Sequence, residues 1–70
     1  MKIEDPDIFF GKKIRVYSIY GQVVEGKLFG YDYDFDDDGN VFLEFDVKKE
    51  NGVIIDFPDW GIERIEIISE

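Results

Sequence analysis

Hydrophobic and polar residues alternate with a period of two along most of the chain, a pattern typical of β-strands that bury one face. In the first such segment, Ile14 and Val16 alternate with Lys13, Arg15 and Tyr17. Four further segments with strand-like patterns follow, separated by residues that favour turns. The sequence therefore predicts five strands, at residues 12–19, 22–33, 41–47, 53–57 and 62–68.

The second predicted strand contains glycines inside its hydrophobic alternation. Its inward face is predicted to carry Val24, Gly26, Leu28 and Gly30. Glycine weakens a strand interior and often marks a sharp curve or a close approach of backbone, so this strand is predicted to bend. On the third strand, one face is predicted to carry Val41, Leu43, Phe45 and Val47. The opposite face is predicted to carry Phe42, Glu44 and Asp46.

Turn signals separate these strands. Before the first strand, the sequence predicts a short helical turn that is capped by Asp5, has Pro6 at its first position and ends at Gly11. Asn51-Gly52 is a strong hairpin signal because both residue types tolerate positive φ. The segment from Pro58 to Gly61 is predicted to break strand pairing. These elements predict a single mainly β domain over residues 1–70, a strongly bent five-stranded antiparallel barrel of SH3-like or OB-like kind with a short N-terminal helical turn.

The glycine-containing strand carries a family resemblance. Residues 21–32, with the sequence GQVVEGKLFGYD, followed by NVFLE at residues 40–44, resemble the first half of the Sm motif, and GIERIEI at residues 61–67 is similar to the last strand of Sm-like proteins. The resemblance implies an N-terminal helix on a bent five-stranded sheet. It also implies rings, in which the fourth strand of one subunit pairs with the fifth strand of the next. Residues 53–57 and 62–68 would then be the edges for self-association, and a protein partner is a further possibility.

Sm-like rings bind uridine-rich RNA, and the resemblance assigns that site to the loop after the second strand. Tyr33 or Phe35 would stack on bases, and Asn40 matches the residue that recognises them. The Arg-Gly pair of the family is replaced by Pro58-Asp59. The loop itself is acidic. RNA binding is therefore an alternative that the charges disfavour.

The overall charge also disfavours RNA binding. Ten Asp and seven Glu against six Lys and two Arg give a net charge of −9, which repels phosphate backbones. The two short basic clusters, residues 12–15 and 48–49, are interpreted as solvated strand ends. The absence of cysteine excludes disulfides and thiolate metal sites. With no apolar run long enough for a membrane span or signal peptide, we expect no membrane association and a cytoplasmic location.

The acidic loop offers a second alternative. Asp34, Asp36 and Asp38 alternate before Gly39, as in the opening of a calcium loop, and carboxylate oxygens suit hard cations. The bidentate acid that ends such loops is replaced by Phe45. The sequence is thus consistent with either a weak divalent-cation site or a simple solvated loop.

Catalysis has little basis in the sequence. Histidine and cysteine are both absent, which removes the usual neutral-pH base and the thiolate nucleophile, and no cofactor motif is present. Trp60 and Phe42 are candidates for protein contact, against the alternative that they plug the ends of the barrel. We therefore expect a non-catalytic Sm-like binding or assembly module without cofactors.

Overall fold

Five antiparallel strands form one sheet in the computed structural model, which describes residues 1–69. The strand order is β4-β3-β2-β1-β5. The strands are β1 Lys13–Ser18, β2 Val23–Phe35, β3 Val41–Lys48, β4 Ile54–Pro58 and β5 Ile62–Ser69, with 3-10 turns at Pro6–Ile8 and Asp59–Gly61. The five predicted strands are confirmed. The edge strands β4 and β5 do not pair with each other within residues 1–69, so the sheet is open and the prediction of a closed barrel is wrong.

The predicted N-terminal turn is a short 3-10 turn. Pro6 occupies its first position, where the missing N–H is not needed, and Gly11 follows with a φ of +77°. Asp5 precedes the turn, but its side chain makes no capping hydrogen bond, so the predicted capping role is wrong. Behind the turn, Phe9 packs edge-on against Phe45 at a centroid distance of 6.1 Å. The segment thereby covers one end of the hydrophobic core.

The core lies on the face that the alternation predicted. Its buried side chains come from all five strands and from the segment before β1: Phe9, Ile14, Val16, Leu28, Leu43, Phe45, Val47, Phe57 and Ile62. Val41 was predicted on this face but is 58% exposed. It pairs with Phe35 at the far end of the β2–β3 hairpin, which extends beyond the core.

Strand β2 is shared between two neighbours along different parts of its length. Residues 23–27 pair with β1, whereas residues 27–35 pair with β3. The register shifts between Leu28 and Gly30, as at a β-bulge, so Leu28 faces inward with Val47 while Gly30 lies opposite the outward Asp46. The prediction that Gly30 shares a face with Leu28 is therefore wrong, because the irregularity at Phe29 reverses the alternation.

Gly26 allows the backbones of β2 and β3 to approach. A Cβ atom at this position would lie 2.5 Å from the carbonyl oxygen of Lys48 and 2.9 Å from a methyl group of Val47. No side chain fits without a backbone shift. The predicted close approach at this glycine is confirmed.

The connection between β3 and β4 has the predicted hairpin turn. Gly52 has a φ of +88°, and its N–H donates to the carbonyl of Lys49. Pro58 was predicted to break the pairing, but it is the last residue of β4 and lies opposite Glu44. An edge strand tolerates proline because one side of its backbone needs no partner.

The outer face of β1 and β5 is held by paired charges. Arg15 contacts Glu25 at 3.1 Å and Glu66 at 3.5 Å, and Tyr17 donates its hydroxyl hydrogen bond to Glu66. The guanidinium of Arg64 stacks 3.8 Å from the centre of the Tyr17 ring. Both arginines of the chain are thus committed to this face.

Candidate functional site

Carboxylates converge on the outer face of β3 and β4. Asp46 lies directly opposite Asp56, and Glu44 stands two residues from Asp46 on the same face of β3. One carboxylate oxygen from each of the three residues falls within a group whose members are all within 4.8 Å of one another. Asp32 on β2 lies opposite Glu44 and extends the negative surface. We call Glu44, Asp46 and Asp56 the carboxylate cluster.

Partial burial and mutual repulsion change the acidity of this cluster. Burial, followed by the neighbouring Asp56 carboxyl that shares a proton, raises the pKa of Asp46 from 3.8 to about 6. Burial and then the charge of Asp56 raise the pKa of Glu44. The cluster therefore favours a proton or another positive charge. Three carboxylate oxygens are also the kind of donor set that a hard divalent cation prefers.

The three aspartates predicted as metal ligands lie in the β2–β3 connection and have other contacts. The carboxylate of Asp36 accepts hydrogen bonds from the backbone N–H groups of Asp38 and Asn40, at 2.9 and 2.8 Å. Asp34 accepts one from the N–H of Phe35 at 2.8 Å. The hydrogen bond from Asn40 is the main reason that the pKa of Asp36 is lowered. The carboxylate of Asp36 thus stabilises the turn between β2 and β3. The carboxylates that converge are those of Glu44, Asp46 and Asp56 on the sheet.

The residues predicted to contact RNA lie at the tip of the β2–β3 hairpin. Tyr33 and Phe35 are 63% and 67% exposed, so both rings are open to stacking. The side-chain amide of Asn40 donates to Asp36 at 3.3 Å. The amide is therefore engaged with an acidic loop rather than presented alone.

Trp60 is exposed beside a groove at the end of β4. It is 56% exposed and, with Tyr20 at 74%, lines a depression of about 220 Å³ whose walls include Ile55 and Pro58. Hydrogen bonds from other segments hold the 3-10 turn that carries Trp60. Among them, the carboxylate of Asp59 accepts from the N–H of Leu43 at 3.3 Å, and the carbonyl of Gly61 accepts from the N–H of Ile19 at 3.0 Å. Phe42, the other predicted contact residue, is half-buried and does not line this groove.

Both ends of the sheet carry apolar side chains in solvent. On β4 Ile54 is 50% exposed, and on β5 Ile67 and Ile68 are 42% and 38% exposed. Neither strand has a second neighbour within residues 1–69. At the start of β5 the carbonyl of Ile62 accepts a hydrogen bond from the N-terminal amine of Met1 at 2.8 Å. Beyond this contact, each edge can pair with a strand of another chain.

The sequence interpretation missed the carboxylate cluster. The sequence pattern places Glu44 and Asp46 on one face of the third strand, but it does not bring Asp56 to them. The signal was weak, because their convergence depends on the register between β3 and β4, which local alternation does not specify.

Comparison of the chain with protein-family models, with curated proteins and with solved structures found no match. Among residues 1–69, no helix has the length and apolar character needed to cross a membrane.

Proposed function

We propose that this chain is a non-catalytic assembly module of the Sm-like type, which associates with copies of itself through its two sheet edges. The observation that carries the proposal is the pair of unpartnered edge strands, β4 and β5, at opposite ends of one sheet. Exposed edges promote uncontrolled aggregation unless they are protected or paired. Here the half-exposed Ile54 and Ile67 leave apolar surface beside each edge.

The strand order supports the Sm-like resemblance. In that family the fourth strand of one subunit pairs with the fifth strand of the next, and these are the two edges of the present sheet. Pairing between unlike edges is head-to-tail, so each subunit keeps one edge for another neighbour. Such contacts form rings when the rotation closes.

Trp60 would contribute side-chain contact to the same interface. It lies on the turn between β4 and β5, and Pro58 at the end of β4 shares its groove. Exposed tryptophans contribute strongly to interfaces because they bury a large area at low entropic cost. A different protein that docks on either edge is the alternative, which a monomeric wild type would favour.

The experiment is a measurement of solution mass by light scattering and native mass spectrometry, from micromolar to near-millimolar protein. We expect a defined oligomer for the wild type. Ile54→Lys and Ile67→Lys should each shift the population toward monomer, because a charge on an edge opposes strand addition. Val23→Lys is the matched control, since Val23 is 53% exposed but lies on the internal strand β2.

A wild type that stays monomeric over the whole concentration range would show the self-assembly proposal to be wrong. Loss of the oligomer in Val23→Lys as well would point to a general charge effect. Circular dichroism of every variant establishes that the fold is retained.

RNA binding, the other function implied by the resemblance, receives less support. The exposed rings of Tyr33 and Phe35 favour stacking, but Asp34, Asp36, Asp37 and Asp38 surround them with negative charge. Association with RNA is driven largely by basic side chains that neutralise phosphates and release their counterions. Acidic side chains cannot neutralise phosphates and instead repel them. We expect no oligouridine binding even at low salt.

A further inference from the structure

We propose that a row of lysines across the outer face of the sheet forms a binding site for a compact oligophosphate, a ligand with two or three linked phosphate groups. The row is made by register: Lys13 of β1 lies directly opposite Lys27 of β2, and Lys27 lies directly opposite Lys48 of β3. The two basic clusters, which are far apart in the sequence, are thereby joined through Lys27. The proposal is independent of the assembly function.

The lysines border an open depression of about 470 Å³ at the bend of β2. Lys49, from the turn after β3, contributes a fourth amine, and the buried Gly26 lies in the lining. Four of the six lysines of the chain therefore surround one cavity. Glu50 is the carboxylate among the lining residues.

The row is unfavourable in the free protein. Like charges directly opposite one another on neighbouring strands are destabilising, and Lys27 has such a neighbour on both sides. The chain has seventeen acidic residues, yet no ion pair to these four lysines occurs within residues 1–69. Two acids on the same face, each two residues from a lysine of the row, have other partners: Glu25 pairs with Arg15 at 3.1 Å, and Asp46 is hydrogen-bonded to Asp56.

An anion with several closely spaced charges would relieve this repulsion. Neighbouring strands are about 4.8 Å apart, so the three opposed lysines span about 10 Å, a length that suits a short chain of phosphates. Lysine binds phosphate as a mobile point charge and does not require a fixed approach geometry. Lys13, Lys27 and Lys48 are all exposed and free to converge on such a ligand.

The surroundings favour a compact ligand over a long polyanion. The carboxylate cluster lies beside the lysine row, with Asp46 two residues from Lys48 on the same face of β3. A nucleic acid that extended beyond the lysines would meet this negative surface within about one Debye length. A short oligophosphate stays within reach of the amines.

The test uses calorimetry and thermal unfolding of the full chain in a phosphate-free buffer at low ionic strength, with inorganic tripolyphosphate as the probe. We expect saturable binding and a rise in Tm. Lys27→Gln should weaken binding about tenfold, the loss expected for one charge-assisted contact. Lys2→Gln is the matched control, because it makes the same change in net charge at a residue outside the depression.

A second readout needs no ligand. Without tripolyphosphate, Lys27→Gln should raise Tm relative to Lys2→Gln, because it removes repulsion with two neighbours. Adenosine triphosphate without metal serves as a second probe: tighter binding than tripolyphosphate would assign the site to nucleotides, and equal binding would assign it to inorganic chains.

Three results would overturn the proposal. The first is no heat and no change in Tm with millimolar tripolyphosphate, and the second is equal weakening in Lys2→Gln. The third is tighter binding of a single-stranded oligonucleotide than of tripolyphosphate, which would indicate a nucleic-acid surface instead.

Discussion

At the scale of the residue, two glycines on the same strand meet different constraints. Gly26 faces the backbone of β3, where an added Cβ would lie 2.5 Å from the Lys48 carbonyl oxygen. At Gly30 an added Cβ would lie 3.4 Å from the side chain of Asp46, which is close to an ordinary contact. The sequence marks both positions as sites of curvature, but it does not show that only Gly26 is sterically required.

We therefore expect Gly26→Ala to destabilise the fold by about 1–3 kcal/mol, the usual cost of overpacking against atoms that cannot move aside. Gly30→Ala should change stability by less than about 1 kcal/mol, since alanine also reduces the entropy of the unfolded chain. Denaturant unfolding of both variants provides the measurement. Equal effects would mean that β2 and β3 separate easily at Gly26.

At the scale of the element, much of the architecture is predictable from local pattern. The five strands begin and end within one or two residues of the predicted positions, because alternation and turn residues are local signals. The bulge at Phe29 is not predictable in this way. Nor are the cross-strand neighbours, so neither the carboxylate cluster nor the opposition of Lys27 and Lys48 emerges from the sequence.

The β2–β3 connection depends on Asp36, whose carboxylate accepts two backbone N–H groups and the Asn40 amide. We expect Asp36→Ala to lower Tm and to accelerate amide exchange at Asp38 and Asn40. Asp37→Ala, which removes the same charge from the same loop, should have a smaller effect. Because the pKa of Asp36 is lowered on folding, its contribution is present at neutral pH and is lost as pH falls through its folded pKa. Identical exchange rates in the two variants would contradict this role.

At the scale of the whole molecule, the outer face separates its charges. Arg15 on β1 and Arg64 on β5 pair with acids of β2 and β5. Lysines form a row where β2 bends, and carboxylates gather on β3 and β4. Composition predicts the excess of negative charge. The distribution follows from the register between neighbouring strands, which explains why the sequence alone predicts neither the lysine row nor the carboxylate cluster.

The carboxylate cluster makes stability depend on pH. The folded chain holds a proton on Asp46 up to about pH 6, whereas the unfolded chain releases it near the ordinary pKa of 3.8. Stability contributed by that proton is therefore present at low pH and is lost as pH rises through about 6. We expect Asp46→Asn, which mimics the protonated form, to raise Tm by about 2–5 °C at neutral pH and to have little effect near pH 4.

Thermal unfolding across this pH range checks the expectation, and Asp37→Asn provides a control for the loss of one exposed charge. Asp36 and Glu66, whose pKa values are lowered on folding, act in the opposite direction at more acidic pH. If Asp46→Asn changed Tm by the same amount at every pH, the carboxyl of Asp46 would not be responsible for the pH dependence of stability.

The position of Trp60 provides an intrinsic fluorescence signal for the sheet edges. It is the single tryptophan of the chain, it is 56% exposed, and it lies on the short turn that joins the two edge strands. Its emission therefore comes from one known place and depends on how much water surrounds that place. Occupation of the adjoining groove would shift the emission to shorter wavelength without any attached dye, so intrinsic fluorescence can follow events at the sheet edges in real time.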